Sequence, residues 1–134
     1  MIASPVQKVD LAIVDKLSAG DILFIDSTHR VKCGSDVNYV CFTILPRLAS
    51  GIYIHFHDIF YPFEYPEAWF FDQNRSFNEI YFMQAFLTEN TDYEIIFFND
   101  FMARHHLDEI NRVMPLFARN CGPVFGCGNV KSRF

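Results

Sequence analysis

Asp26, Ser27, Thr28 and His29 stand in a row, and His57 and Asp58 form a second polar pair further along the chain. Two carboxylates and an imidazole can hold a divalent cation through oxygen and nitrogen donors. The same side chains can move protons, because imidazole titrates near neutral pH. Asp26, His57 and Asp58 are therefore candidate metal ligands, and Asp26 with His29 is a candidate acid–base pair. A plainer reading stands beside these, since an aspartate just after a strand commonly caps the turn that follows. Glycine patterns that cradle phosphate, and the Gly-x-Ser-x-Gly turn of a serine nucleophile, do not occur. Gly126-Cys127-Gly128 lacks the flanking strand and helix that a nucleotide cradle needs.

Chemistry at these positions requires elements that deliver them to one place. Ile22-Leu23-Phe24-Ile25, set between Gly20-Asp21 and Asp26-Ser27, reads as a short strand buried on both faces. Val37, Val40, Cys41, Ile44, Leu45 and Leu48 then recur at helical spacing, with Ser35 or Asp36 as cap and Pro46 distorting the last turns. Gly51 opens a second strand, in which Ile52, Ile54 and Phe56 share one face and Tyr53, His55 and His57 the other. Strand, helix and strand make one β-α-β unit with parallel strands. Neighbouring strands lie about 4.8 Å apart, so Asp26 and Asp58 are expected to meet at the carboxyl edge, where open α/β sheets take their ligands.

The rest of the chain frames this unit. Val6, Val9, Ile13, Val14 and Leu17 predict a helix over 5–18, begun by Pro5 and stopped by Gly20. The aromatic run Ile59 to Pro66 carries two prolines and cannot be a central strand. It is expected to be an ordered loop over the sheet edge, with a short helical turn over Glu67–Phe71. Its Tyr61, Phe63, Tyr65 and Trp69 can form a satellite core or the wall of a substrate pocket. A helix over 78–88, a strand over 93–98, a helix over 105–117 bent or shortened by Pro115, and a last strand over 122–130 complete the reading. His55 reads as structural, and His105 and His106 as part of a solvated helix face beside Asp108 and Glu109.

Composition narrows the function classes. The chain has 134 residues, about half of them apolar, which suits a single domain over 1–134 with one core. Its 16 acidic and 11 basic residues leave a net charge of -5, and no basic run suggests nucleic acid as a partner. No apolar stretch approaches a membrane span and the start shows no signal peptide. Cys33, Cys41, Cys121 and Cys127 form no C-x-x-C pair and read as reduced thiols of a cytoplasmic protein.

Several strings together resemble a known family. They are Gly20-Asp-Ile-Leu-Phe-Ile-Asp26 with Ser27-Thr28-His29, Gly34-Ser35-Asp36-Val37-Asn38-Tyr39, Ile44-Leu45-Pro46-Arg47-Leu48, and His55-Phe-His-Asp-Ile-Phe-Tyr-Pro-Phe-Glu-Tyr-Pro66. From about Val6 to Asn120 the chain resembles the C-terminal half of a bacterial class I S-adenosylmethionine-dependent methyltransferase of the small-molecule or sugar O-methyltransferase type. The resemblance implies a partial Rossmann-like, doubly wound α/β sheet, mostly parallel, with an antiparallel strand at its end. It implies methyl transfer to a small-molecule hydroxyl. Asp26, His57 and Asp58 would hold Mg²⁺, and His29 would act as base or orient Asp26. The Gly-rich loop and the acidic residue that hold S-adenosylmethionine in that family belong upstream of Val6, so no donor-binding residues are assigned here. A half-fold leaves Ile22 to Ile25 as an open apolar edge, and a homo-oligomer is expected. The alternatives are a non-catalytic oligomeric remnant of that fold and a metal-dependent hydrolase built on the same Asp/His set.

Overall fold

The computed structural model describes residues 1–117 and the backbone of 126–131. The chain is a mixed α/β structure whose four strands lie in one sheet in the order β1-β2-β4-β3. Strands β1 (Ile22–Ile25) and β2 (Tyr53–His57) are parallel, with Leu23 opposite Ile54 and Ile25 opposite Phe56. Strand β4 (Gly126–Lys131) lies antiparallel between β2 and β3 (Tyr93–Phe98). The last strand is thus reversed, as expected. The mostly parallel sheet is not found: one pairing is parallel and two are antiparallel. The expected final strand over 122–130 falls partly on residues 122–125, outside the described residues.

The β-α-β unit forms as its pattern predicts. Helix α1 (Asp36–Tyr39) is capped by Ser35, whose hydroxyl accepts the Asn38 N–H at 3.3 Å. It runs on as a wide π turn over Val40–Ile44 and ends in a tight 3-10 turn over Leu45–Arg47. Pro46 accounts for both irregularities. It has no N–H to give to the carbonyl four residues back, and its ring crowds that carbonyl, so the ladder loosens ahead of it and ends just after it.

Val37, Val40, Cys41, Ile44, Leu45 and Leu48 pack onto the sheet face made by Ile25, Ile52, Ile54 and Phe56. Helix α3 (Glu79–Leu87) adds Ile80 and Met83 to the same core, and its Phe82 meets Phe42 edge-on. Gly51 permits the turn into β2. Its φ is +83°, and a side-chain carbon there would lie 2.9 Å from the Ala19 Cβ.

Three expectations are corrected. Residues 5–18 form not one helix but two 3-10 turns, Val6–Lys8 and Leu11–Lys16, the second capped by Asp10. Leu11, Val14 and Leu17 face the core at intervals of three, the 3-10 period, which lies close enough to 3.6 to give a similar apolar spacing. Strand β1 is not buried on both faces. As an edge strand it buries Ile25, while Ile22 and Phe24 on its other face remain 67% and 58% exposed. The helix expected over 105–117 is only the shorter α5 (Leu107–Val113), and a helix that was not expected, α4 (Asn99–His105), precedes it, the two separated at His106. α5 ends two residues before Pro115, whose ring disfavours helical backbone at the residue preceding it.

The aromatic segment is an ordered loop, followed by the short helix α2 (Glu67–Phe71) where the helical turn was expected. Phe60, Tyr65 and Trp69 join the core, and buried Asp100 of α4 anchors the loop by accepting the Tyr61 N–H at 2.9 Å. Among the described residues no helix is long and apolar enough to cross a membrane.

Candidate active site

Both parallel strands end at the same edge and deliver their polar residues to one point. His29 lies at the centre, 6% exposed. Its Nε2 is 3.4 Å from Asp26 Oδ1 and 3.7 Å from Asp58 Oδ2, and His57 Nε2 is 3.5 Å from Asp58 Oδ1. Asp26, His29, His57 and Asp58 are thus brought together. His29 and Asp58 both have left-handed backbone, with φ of 55° and 57°. For L-residues that conformation costs roughly 1–2 kcal/mol each, so the surrounding contacts must hold it.

The residue that sequence reasoning missed is Glu79. It is 1% exposed at the start of α3, and its Oε2 lies 2.8 Å from His29 Nδ1. The Ser27 hydroxyl donates to the same oxygen at 2.7 Å and accepts the His29 N–H at 2.9 Å. The amides of Asn78 and Glu79 donate to the His29 carbonyl at 3.0 and 3.3 Å, and the Asn78 side chain holds Val31 at both its N–H and its carbonyl. The 27–31 loop is therefore fastened to the first turn of α3. One signal was present in the sequence: Glu79 precedes Ile80 and stands four residues before Met83, so it lies on the buried stripe of its helix.

Burial works against a charged His29, but its hydrogen bond to Glu79 and the charges of Glu79, Asp58 and Asp26 outweigh it, so its pKa is raised. Burial raises the Asp58 carboxyl, against the opposing pull of His57 and His29. Among the described residues no three ligand-type side chains are arranged to hold a metal. Asp26, His57 and Asp58, the Mg²⁺ set that the resemblance implies, form no such group.

Tyr65 and Trp69 line a cleft of about 370 Å³ with Phe77, Tyr81 and Arg75, whose guanidinium lies 4.1 Å from the Trp69 ring centre. Tyr61 and Phe63 pack instead against Phe98. Phe77 joins cleft and centre, since its ring lies 4.8 Å from that of His29. His55 stacks on Phe24 at 4.4 Å, and burial lowers its pKa. His105 rests against Tyr61 and Phe101, and His106 is bonded to Glu109. Comparison with known proteins returns no matching family model, no matching curated protein and no matching solved structure.

Proposed function

We propose that this chain carries an acid–base centre that moves a proton at a small-molecule hydroxyl, with His29 as the catalytic group. The observation that carries the reading is the buried Glu79–His29 pair. Glu79 accepts from Nδ1–H, which fixes the tautomer and leaves Nε2 to face Asp26 and Asp58. Carboxylate-oriented imidazole is a recurrent general base, and Glu79 is its positioning residue. Asp26, more exposed than its partners, is the neighbour best placed to share a proton with incoming solvent or substrate. The aromatic cleft beside Phe77 offers an apolar wall for the acceptor.

The methyl-transfer reading uses the same base: a hydroxyl would give its proton to His29 and form a C–O bond to the methyl carbon of S-adenosylmethionine as the S–CH3 bond breaks and S-adenosylhomocysteine leaves. It draws support from the parallel β1–β2 pair, the reversed last strand and the site residues at the carboxyl edge. The donor would be held by residues outside this chain.

The test is the His29 titration, followed by imidazole NMR in the wild type and in Glu79→Gln. The expected result is a midpoint above 6.5 that falls in the variant while the fold persists. An ordinary midpoint that ignores the substitution would remove the acid–base reading.

A further inference from the structure

A second cleft, of about 460 Å³, opens on the far side of Phe77 between the N-terminal turns and the 28–36 loop. Arg30 and Lys32 flank Val31 in the loop that leaves β1. Val31 between them turns inward to the core and is bonded on both backbone atoms to Asn78. Arg30 and Lys32 are both exposed, and both line the cleft. Neither side chain forms an ion pair or hydrogen bond among the described residues.

The one acid in the wall is Asp36, and its oxygens are already engaged. Oδ1 accepts from the Thr28 hydroxyl at 2.7 Å and the Val37 N–H at 2.9 Å, and Oδ2 accepts the Thr28 N–H at 2.8 Å. Across the cleft, the Gln7 amide donates to the Gly34 carbonyl at 3.1 Å and closes the opposite wall. On a chain of net charge -5, two free cations facing one cavity, against one carboxylate that is fully hydrogen-bonded, form a local inversion of charge.

We infer that this cleft binds an oxyanion, a phosphate group in particular, carried by the small molecule that His29 acts on. A phosphate dianion matches two cations, and the guanidinium offers it paired donors. Pro5, Val6 and Phe77 supply apolar surface for an attached organic body. The inference rests on the acid–base reading for what the anion is attached to, but anion binding needs no turnover and is measured apart from it.

The experiment is calorimetric titration of the intact chain at fixed ionic strength with inorganic phosphate, glucose 6-phosphate and glucose. The variants are the double substitution Arg30→Ala/Lys32→Ala and a charge-matched control, Lys16→Ala/Arg112→Ala. One-to-one phosphate binding is expected, weakened at least tenfold in the first variant and unchanged in the control. Tighter binding of glucose 6-phosphate than of phosphate would mark the anion as part of an organic ligand, and equal binding would mark free phosphate as the occupant. The exchange Arg30→Lys/Lys32→Arg should keep most of the affinity, which separates lost charge from a disturbed loop. No phosphate binding by the wild type, or equal weakening in both double variants, would overturn the inference.

Discussion

At the scale of single residues, the Glu79–His29 pair links stability to pH. His29 has its pKa raised in the folded chain, so its contribution is fully present below the ordinary value of 6.5 and is lost as pH rises through the raised native value. Asp58 acts in the same sense from lower pH: the stability linked to its raised carboxyl is fully present below the ordinary 3.8 and is lost as pH rises through the raised native value. Denaturant midpoints should therefore fall as pH climbs from just below 6.5, and the fall should be shallower in Glu79→Gln. Removing the imidazole altogether leaves a buried carboxylate with only the Ser27 hydroxyl, so His29→Ala should cost about 3–5 kcal/mol in chemical denaturation. The thiols divide as simply. Cys41 is buried, and burial with the Glu79 charge pushes its pKa up to about 12. Cys33 is exposed, so an alkylating reagent should modify Cys33 well before Cys41, read by peptide mass mapping.

The elements show how that pair is held. Ser35 serves twice, as the cap of α1 and as the acceptor of the Lys32 N–H at 3.4 Å, so it ties the site loop to the helix that follows. Ser35→Ala should lose about 1 kcal/mol of unfolding free energy, read from the denaturation midpoint, and should loosen the 27–35 loop. The exposed fork between Arg47 and Asp15, at 3.0 and 2.6 Å, joins the end of the helical segment to the N-terminal turns. Exposed pairs of this kind contribute little to stability. The turns over 6–16 are therefore held mainly by Val6, Leu11, Val14 and Leu17 against the core.

Across the whole molecule, β1 is an edge strand carrying exposed Ile22 and Phe24, with half-exposed Tyr53 beside them on β2. An apolar edge with open backbone groups is a template for another strand. Concentration-dependent self-association is the expected outcome, and analytical ultracentrifugation should show it reduced in Ile22→Lys/Phe24→Lys. A monomer at all concentrations would overturn the expected homo-oligomer. If methyl transfer is the reaction and the donor is held outside residues 1–134, calorimetric titration with S-adenosylmethionine should give weak binding or none, whereas tight one-to-one binding would mean that residues 1–134 form a donor pocket.

Local pattern was enough for the strands over 22–25 and 93–98, the β-α-β crossover with its Pro46 distortion, and the helical turn at 67–71. Each of these follows from side-chain spacing, caps and proline over a few residues. Strand-end position was likewise enough to bring Asp26, His29, His57 and Asp58 to one edge. What only the tertiary structure decided were the sheet order, the exposed face of β1, the 3-10 form of the N-terminal turns and the partner of His29. Periodicity shows that a residue faces inward, but not what it will meet there. Glu79 and His29 are 50 residues apart, and their contact exists only because α3 packs its first turn against the loop leaving β1.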